Sequence, residues 1–410
     1  MNDRRLRQRG LKNGKPVWTG RTRSNSGGPA QPRFRFVGNK KEAEAAWIKW
    51  LASIEDSSYV PTDRATFGDY LDDFLAGAKT TLARTTWERF EGMARVHIAP
   101  KLGHIPLQKL TTSQLNKAYA EWREIGLAAQ TVVHHHRLCH RVLAQALREG
   151  RVQRNVAAIA EKPKAPRREM RCLSTDEIDR LMATVAGSDF AVLIGLALAC
   201  GARRGELLGA KWDDLDVTRG TLAIRRSIEQ TKDGIAEKLP KSGKARVVQL
   251  PVSVVEMLRE LRRERAGKGG GTIPIGYLFS DPANAGPLTP HKITDEFREI
   301  ARKAGLVPMR VRATTRVGRR AKVSKPKSAK PAGERRATGI TFHSLRHTCA
   351  SMLLAANIHP KIVQEMLGHS TIAITMDLYS HVTPSMQAEA AQRLDAILGP
   401  SLAAVSRLGA

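Results

Sequence analysis

The chain of 410 residues has few cysteines, few aromatic residues and no long apolar run. Its four cysteines are far apart in sequence, which argues against a disulfide scaffold or a zinc finger and fits reduced thiols. No stretch of about 18 apolar residues is present, so we expect no membrane span and no membrane partner. The N-terminus carries charge but lacks the apolar segment of a secretory signal. These absences predict a cytoplasmic protein.

Acidic residues are also scarce relative to basic ones. The chain has 68 Lys and Arg against 39 Asp and Glu, a formal net charge of +29. Residues 1–41 hold twelve basic residues and one acidic residue, and residues 309–336 hold eleven and one. Clustered positive charge usually neutralises phosphates, although solvated tails would show the same composition. The charge therefore predicts a nucleic-acid partner, but it indicates no chemistry.

The first segment, residues 1–60, has the pattern of a small sheet followed by a helix. In PRFRFVGN two phenylalanines alternate with two arginines over residues 33–36, so one strand face should be apolar and the other basic. Asn39 followed by Glu42 is an N-cap signature for the helix KKEAEAAWIKWLASIE. This module would suit a DNA groove, and a disordered basic tail is the alternative.

Residues 61–165 show the helical spacing of apolar residues in four successive stretches. The last stretch contains HHHRLCH, where His136 and His140 lie four residues apart and suggest a metal site. No acidic residue or cysteine accompanies them at ligand spacing, so a polar helix face is the preferred interpretation and no metal is predicted.

Residues 166–410 are predicted to be mainly helical, with a small sheet near the start. Ser174 and Glu177 form a capping box, and the apolar stretch 190–201 should be a buried helix that ends at its glycine. TLAIRRSIEQ and KARVVQLP have the composition of strands with a polar turn region between them, and helices are predicted to resume at ITDEFREIARKAG. The basic stretch 309–336 is predicted to be a disordered insertion. The fold class is therefore mainly α with small β elements, an α+β protein.

Five short strings in the last segment carry residues suited to one reaction. They are CGARRGELLGAKWDDLD with Arg203, PKSGKARVVQLP with Lys241, HSLRHT with His343 and Arg346, MLGHST with His369, and MDLYSH with Tyr379. Together they offer cationic donors and one phenol, and they include no carboxylate trio to hold a metal. Guanidinium groups could bind the non-bridging oxygens of a phosphodiester under attack. A phenol with a pKa of about 10 needs cationic neighbours and a base to attack near neutral pH.

The roles follow from the chemistry of each group. Tyr379 would attack, His343 is a plausible general base, and His369 would donate to the phosphate. Lys241 could protonate the departing deoxyribose oxygen. The strings therefore predict metal-free transesterification of DNA.

These strings resemble the signature motifs of the tyrosine recombinase (phage integrase) family, in the family's order and roughly its spacing. HSLRHTCAS, LGHSTI and the Tyr379 segment match best, and the first string is similar to the family's TG-x-R-x-x-E pattern, with Cys200 and Ala202 departing from it beside Arg203. The resemblance implies the catalytic set Arg203, Lys241, His343, Arg346, His369 and the nucleophile Tyr379. Lys238 and Lys244 are alternatives to Lys241, which is preferred because Arg246, five residues later, begins a predicted strand.

The resemblance also implies the domain organisation. It covers about residues 173–395 as the catalytic domain and 66–160 as a SAM-like core-binding domain, and more loosely an N-terminal arm-binding domain. The implied domains are therefore 1–60 (arm-type DNA binding), 61–165 (core binding) and 166–410 (catalytic).

The implied reaction leaves a 3′-phosphotyrosyl link and a free 5′-hydroxyl. Bond energy is kept, so no ATP is required, and no phosphate-binding G-x-x-x-x-G-K-[ST] sequence is present. No cofactor is expected. The implied partners are double-stranded DNA with core and arm sites, three further protomers in a homotetramer that exchanges C-terminal segments, an accessory DNA-bending protein and a directionality factor. A protein of this family would integrate or excise a mobile element and lie at the nucleoid of a bacterial-type cell when bound to DNA.

Two other functions compete with this one. A metal-dependent transposase or nuclease could use Asp213, Asp214 and Asp216, but these acids are too bunched to form a two-metal site without a distant partner. A non-catalytic DNA-binding protein is the other alternative, although every predicted catalytic position is filled. Four neighbours of the site are assigned mainly to structure, namely Glu206, Trp212, His347 and Gly368.

Overall fold

A computed structural model describes residues 6–21, 33–55, 60–61, 63–166, 171–268, 270–272, 274–307, 339–379 and 396. The predicted insertion at 309–336 and, apart from residue 396, the segment after Tyr379 lie outside these residues. The chain divides into two compact units, with the boundary after Pro166, and each is described by itself. The finer division predicted at residues 60 and 165 stays a prediction.

The first unit begins with a three-stranded antiparallel sheet and a helix. Strands β1 (Arg7–Lys12), β2 (Lys15–Arg21) and β3 (Arg33–Val37) are hydrogen-bonded in that order, and helix α1 spans Lys40–Glu55. Phe34 packs edge-on against Trp47, with the ring centroids 5.2 Å apart. A Cβ atom on Gly20 would lie 2.2 Å from the Trp47 ring, so only glycine admits the helix this close. Asn39 and Glu42 accept each other's backbone N–H groups, which confirms the predicted N-cap.

The other face of this sheet is basic, as the alternation of arginine and phenylalanine predicts. Thr19 lies opposite both Arg7 and Arg35, and Arg21 lies opposite Arg33. Residues paired across antiparallel strands share a face, so the four arginines lie on one side of the sheet, and all four are exposed. We call Arg7, Arg21, Arg33 and Arg35 the basic sheet face.

The rest of the first unit is a helical domain with its own core. Its helices are α2 (Phe67–Ala78), α3 (Arg84–Met93), a π-helical turn (Ala94–Ile98), α4 (Ala99–Leu102), a 3₁₀ turn (Leu107–Lys109), α5 (Thr112–Glu124), α6 (Ala129–Arg148) and α7 (Val156–Ile159). Capping boxes from Thr66 and Thr111 start α2 and α5. Phe67, Leu71 and Trp122 are among the fully buried side chains that join the helices.

The expected polar histidine face on α6 is wrong at two positions. His135 is fully buried and His136 is 9 % exposed. The reason is helical spacing, because His135 lies three residues after Val132 and three before Leu138, on the stripe that faces the core. The Nδ1 atom of His136 lies 3.1 Å from the hydroxyl of Tyr119, so a histidine can be accommodated inside.

The second unit combines eight helices with five short strands in its described residues. The helices are α8 (Thr175–Thr184), α9 (Asp189–Cys200), α10 (Arg204–Leu208), α11 (Val252–Lys268), α12 (Pro290–Lys303), α13 (Phe342–Ala355), α14 (Pro360–Leu367) and α15 (Ile372–Tyr379). The strands are β4 (Leu215–Asp216), β5 (Thr221–Ile224), β6 (Ser227–Thr231), β7 (Gly234–Lys238) and β8 (Arg246–Gln249), and a 3₁₀ turn spans Trp212–Asp214. Strands β4, β5 and β8 form one antiparallel sheet, and β6 and β7 form a separate hairpin.

Several sequence expectations hold in this unit. The capping box of Ser174 and Glu177 opens α8, and the apolar α9 is mostly buried and ends at Gly201 in the left-handed region at φ 56°. Together with the sheets, these helices confirm the mainly α fold with small β elements. Among the described residues, none of the helices has both the length and the apolar character needed to cross a bilayer.

Other expectations need correction. TLAIRRSIEQ is not one strand, because it divides at Arg225 and Arg226 into β5 and β6, which belong to different sheets. The polar turn region after it contains strand β7, whose largely exposed residues concealed the pattern. Helices resume earlier than expected, at α11, where four buried residues at helical spacing lie beneath a charged surface: Val254, Val255, Leu258 and Leu261.

Candidate active site

Arg203 is fixed at the turn between two helices. Helix α9 ends at Gly201, and Arg203 takes the N-cap position of α10. Its backbone N–H donates to Glu206 Oε2 at 3.0 Å, and its Nη1 donates to Glu206 Oε1 at 2.8 Å. Glu206 is 2 % exposed, so this carboxylate orients Arg203 from inside the protein. Supporting contact of this kind agrees with the structural role expected for Glu206.

Arg346 lies on α13 and is almost completely buried. It is 3 % exposed, and its Nη1 donates to the carbonyl of Gly201 at 2.7 Å. Its Nη2 is buried and has no hydrogen-bond partner among the described residues. Burial, followed by the charge of Arg203, lowers the pKa of Arg346 to about 10, so the guanidinium stays protonated at neutral pH. The arrangement leaves one strong donor of Arg346 without a partner among the described residues.

His369 follows the turn that ends α14. Gly368 occupies the left-handed region at φ 68°, and its carbonyl accepts from Arg203 Nη2 at 3.3 Å. The half-buried His369 has its Nδ1 2.9 Å from the hydroxyl oxygen of Thr375 on α15. The expected helix-ending role of Gly368 is therefore observed, and its carbonyl also places His369 next to Arg203 in the structure.

The two histidines of the site are neutral near pH 7. Desolvation, followed by the charges of Arg346 and Arg203, lowers the pKa of His369 to about 4. His343 keeps an exposed surface, but the surrounding protein partly desolvates its ring. This desolvation, followed by the charges of His347 and Arg346, lowers the pKa of His343 to about 4. A neutral imidazole can accept a proton or donate one hydrogen bond, whereas an imidazolium cannot accept.

In the part of the chain that it describes, the structure shows fewer contacts for Lys241 and Tyr379 than for the other candidate residues. Lys241 is exposed in the segment between β7 and β8, and these strands pair with different partners, so the segment is not the turn of a hairpin. Among the described residues, no hydrogen bond or ion pair joins Lys241 to the other candidates. Of the alternatives, Lys238 forms an ion pair with Glu229. Tyr379 is the last residue of α15, and its side chain lies outside the description.

The structure thus brings Arg203, His343, Arg346 and His369 together, and it adds a residue that sequence reasoning did not place in the site. Arg246 donates from Nη2 to Glu206 Oε2 at 2.6 Å and from Nε to the carbonyl of Met366 at 2.9 Å. The sequence predicts only that Arg246 begins a strand. The available signal was an arginine immediately before the apolar residues of β8.

The buried thiols near this site are poor nucleophiles. Burial raises the pKa of Cys200 to about 11 and that of Cys349 to about 12. Both therefore stay protonated at neutral pH, which leaves the phenol as the candidate nucleophile.

Comparison with known proteins gives the family. The model described as "Phage integrase family" matches residues 171–386, and that described as "Phage integrase, N-terminal SAM-like domain" matches residues 66–123. The first match covers more than half of the chain. The chain belongs to the phage integrase family. It is a tyrosine-type site-specific recombinase, and all six candidate residues lie within the longer match.

Individual proteins similar to this chain cover 80–90 % of it. A "Tyrosine recombinase XerC-like" protein of Caldanaerobacter subterraneus subsp. tengcongensis is 26 % identical over 389 residues, which is 88 % of this chain and 91 % of that protein. The Tn1549 transposon integrase in complex with a circular intermediate DNA superposes with a TM-score of 0.63 and 19 % identity, covering 80 % of this chain and 99 % of that one. A lambda integrase tetramer bound to a Holliday junction gives a TM-score of 0.55 and 18 % identity, covering 90 % and 93 %. These structures share the fold of this integrase-family chain.

Proposed function

We propose that this recombinase cleaves and rejoins DNA through a 3′-phosphotyrosyl intermediate at Tyr379, without ATP or a metal ion, to integrate or excise a mobile element. The observation that carries the proposal is the convergence of two guanidinium groups and two neutral imidazoles. Arg203 and Arg346 reach this position from different helices, each held by a carbonyl at the end of another helix. Such an assembly suits a phosphodiester that gains negative charge under attack.

The proposed step is a transesterification in which atoms and charges balance. The phenol oxygen of Tyr379 forms a bond to phosphorus, and the bond from phosphorus to the 5′ oxygen breaks. His343 accepts the phenol proton, and Lys241 protonates the departing 5′ oxygen. A free 5′-hydroxyl from another strand then attacks the phosphotyrosine and releases the enzyme, so no external energy source is needed.

The electrostatics of the site support these roles. Arg346 has an unpartnered Nη2 that could bind a non-bridging oxygen, and Arg203 retains 28 % exposure of its side chain. Neutral His343 can act as a base, and neutral His369 can donate one hydrogen bond to the phosphate. Removal of one such donor typically lowers the rate by about 10² to 10³.

The contacts of the carboxylates disfavour the metal-dependent alternative. Both oxygens of Glu206 are occupied by Arg203 and Arg246. Asp214 forms an ion pair with Arg226, and Asp216 accepts backbone N–H groups of its own turn. A metal held by the three aspartates would have to displace the partners of Asp214 and Asp216, and the exposed Asp213 alone offers only one carboxylate.

We further propose that the protein contacts two classes of DNA site. The helical domain and the second unit would bind the core site, and the basic sheet face would bind an arm-type site by contacts to phosphates. Recombination of two sites would require a homotetramer, and a DNA-bending protein and a directionality factor could take part. In a bacterial-type cell the protein would then lie in the cytoplasm, at the nucleoid.

The decisive experiment uses a nicked suicide DNA that carries the attachment site, incubated with the full chain and a chelator. We expect a covalent protein–DNA species that forms without added metal or ATP and maps to Tyr379. Tyr379→Phe should bind this DNA with wild-type affinity and form no adduct.

Three results would contradict the proposal. Adduct formation by the Phe variant would exclude Tyr379 as the nucleophile, and loss of the adduct with chelator would favour a metal-dependent enzyme. Binding without any adduct in the wild type would favour a non-catalytic DNA-binding protein.

A further inference from the structure

Arg246 connects three parts of the site that are distant in sequence. Its side chain is 11 % exposed. One nitrogen donates to Glu206, which holds Arg203, and another donates to the Met366 carbonyl in the last turn of α14, before Gly368 and His369. The backbone of Arg246 begins β8, the first strand after the segment that contains Lys241.

We propose that Arg246 is a positioning residue of the recombinase, which fixes Arg203 through Glu206 and the His369 turn through Met366 in the geometry that strand cleavage requires. This inference rests on the proposed function, because it concerns the same reaction. Arg246 is not assigned a contact with DNA.

The packing at Gly368 makes this connection close. A Cβ atom on Gly368 would lie 2.8 Å from Arg246 Nη1 and 3.0 Å from its Cζ. The carbonyl of the same glycine accepts from Arg203 Nη2. Gly368 therefore lies between the two guanidinium groups, and a shift of the Arg246 side chain would displace the turn that Arg203 and His369 share.

The charge balance gives Arg246 a second effect. The groups that face Glu206 are Arg203 at the start of α10, Arg246 on β8, Arg346 on α13 and Cys200 at the end of α9. Burial raises the pKa of Glu206, but the hydrogen bond and charge of Arg246, followed by those of Arg203, bring it below the ordinary value. Without Arg246, burial would be opposed mainly by Arg203, so Glu206 would take up a proton at a higher pH and release Arg203.

The test compares Arg246→Met and Arg246→Lys with the wild type and with Arg171→Met. Arg171 is a chemically matched control, because it also pairs with a carboxylate, that of Glu177, and donates to a carbonyl, that of Leu306. Each variant is measured for its thermal midpoint, its affinity for DNA and its single-turnover rate of covalent attack at saturating DNA between pH 5.5 and 8.5.

We expect Arg246→Met to lower the rate at saturating DNA by about 10²-fold, with less than a threefold change in Kd, because misplaced catalytic groups act on the chemical step. The loss should grow as the pH falls, since Glu206 then becomes protonated. Arg246→Lys should recover part of the rate at pH 8.5, because it restores the charge but not both contacts. In a Glu206→Gln background, Arg246→Met should cost much less and show no added pH dependence.

The outcomes separate this inference from the proposed function. If the wild type forms no adduct, the proposed function fails. If the wild type reacts and Arg246→Met reacts as fast as Arg171→Met at every pH, the positioning role is refuted. Should Arg246→Met fail to fold, Arg246→Lys decides, and a rate equal to wild type across the whole pH range would refute the inference.

Discussion

Replacement of Gly201 by alanine tests whether Arg346 depends on the position of the Gly201 carbonyl at the end of α9. The backbone of Gly201 is in the left-handed region, which costs an alanine about 1–2 kcal/mol. A Cβ atom there would also lie 2.3 Å from Leu367 Cδ2 and 3.1 Å from Cys349 Sγ. Leu367 is fully buried and cannot move into solvent, so overpacking adds about 1–3 kcal/mol. The total expected loss of stability is about 2–5 kcal/mol.

Gly187 offers a matched control in the same unit. It has a similar positive φ of 72°, and a Cβ atom there would meet nothing within 4 Å. Gly187→Ala should therefore lose only the backbone cost of about 1–2 kcal/mol. A loss of 1 kcal/mol lowers the melting midpoint by about 2–4 °C in a domain of 150–250 residues.

The assay combines thermal unfolding with covalent attack on a suicide DNA, measured well below the lower of the two midpoints. Gly187→Ala should react like the wild type. Gly201→Ala should melt several degrees below Gly187→Ala and react about 10 to 100 times more slowly, because the carbonyl that holds Arg346 is displaced. Equal melting midpoints and equal rates for the two variants would refute the packing argument.

Three further predictions concern other parts of the protein. His135 is fully buried and burial lowers its pKa to about 4, so the unfolded chain binds more protons than the folded one at acidic pH. The free energy of unfolding should therefore fall by on the order of 2–3 kcal/mol between pH 7 and pH 4.5. Urea unfolding of His135→Leu should show a smaller fall, and a fall equal to that of the wild type would show that His135 is not its cause. Replacement of both Arg33 and Arg35 by glutamine should reduce the slope of log affinity for the arm site against log salt concentration by about two and leave cleavage of a core-only DNA intact. The control Lys49→Gln on α1 should change neither the slope nor cleavage, and an unchanged slope in the double variant would exclude the basic sheet face. Thr375→Val should slow covalent attack roughly fivefold to tenfold by removing the partner of His369 Nδ1, and Thr375→Ser should restore it; equal rates for all three proteins would show that this contact does not matter.

Most of the fold could be predicted because its signals are local. The caps at Asn39 and Ser174 and the apolar α9 depend on residues only a few positions apart, and all three are observed. Strand β7 was missed because its identity depends on pairing with β6 rather than on its own composition. The helix α11 had a readable apolar stripe, but its many charged residues obscured it.

The site could be predicted in its members but not in its connections. The order of the sequence strings identifies the family and four members of the site: Arg203, His343, Arg346 and His369. Arg246 also lies in one of these strings, but the string predicts no function for it. The contact of Arg246 with Met366 joins residues 120 positions apart in sequence, and only the folded chain shows it. The spacing of His135 to Val132 and Leu138 indicates burial and the polarity of histidine indicates exposure, and in the folded protein the spacing prevails.

The two glycine carbonyls that hold Arg346 and Arg203 have a consequence for protein engineering. Each carbonyl belongs to a different string of the sequence from the arginine that it holds, so each string is completed by residues of another. A chimera that takes only the Gly201 turn from a relative would combine the carbonyl of that relative with the Arg346 of this chain, and the two have not been matched to each other. The segments around Gly201, Arg246, Arg346 and Gly368 should therefore be exchanged between recombinases as one block.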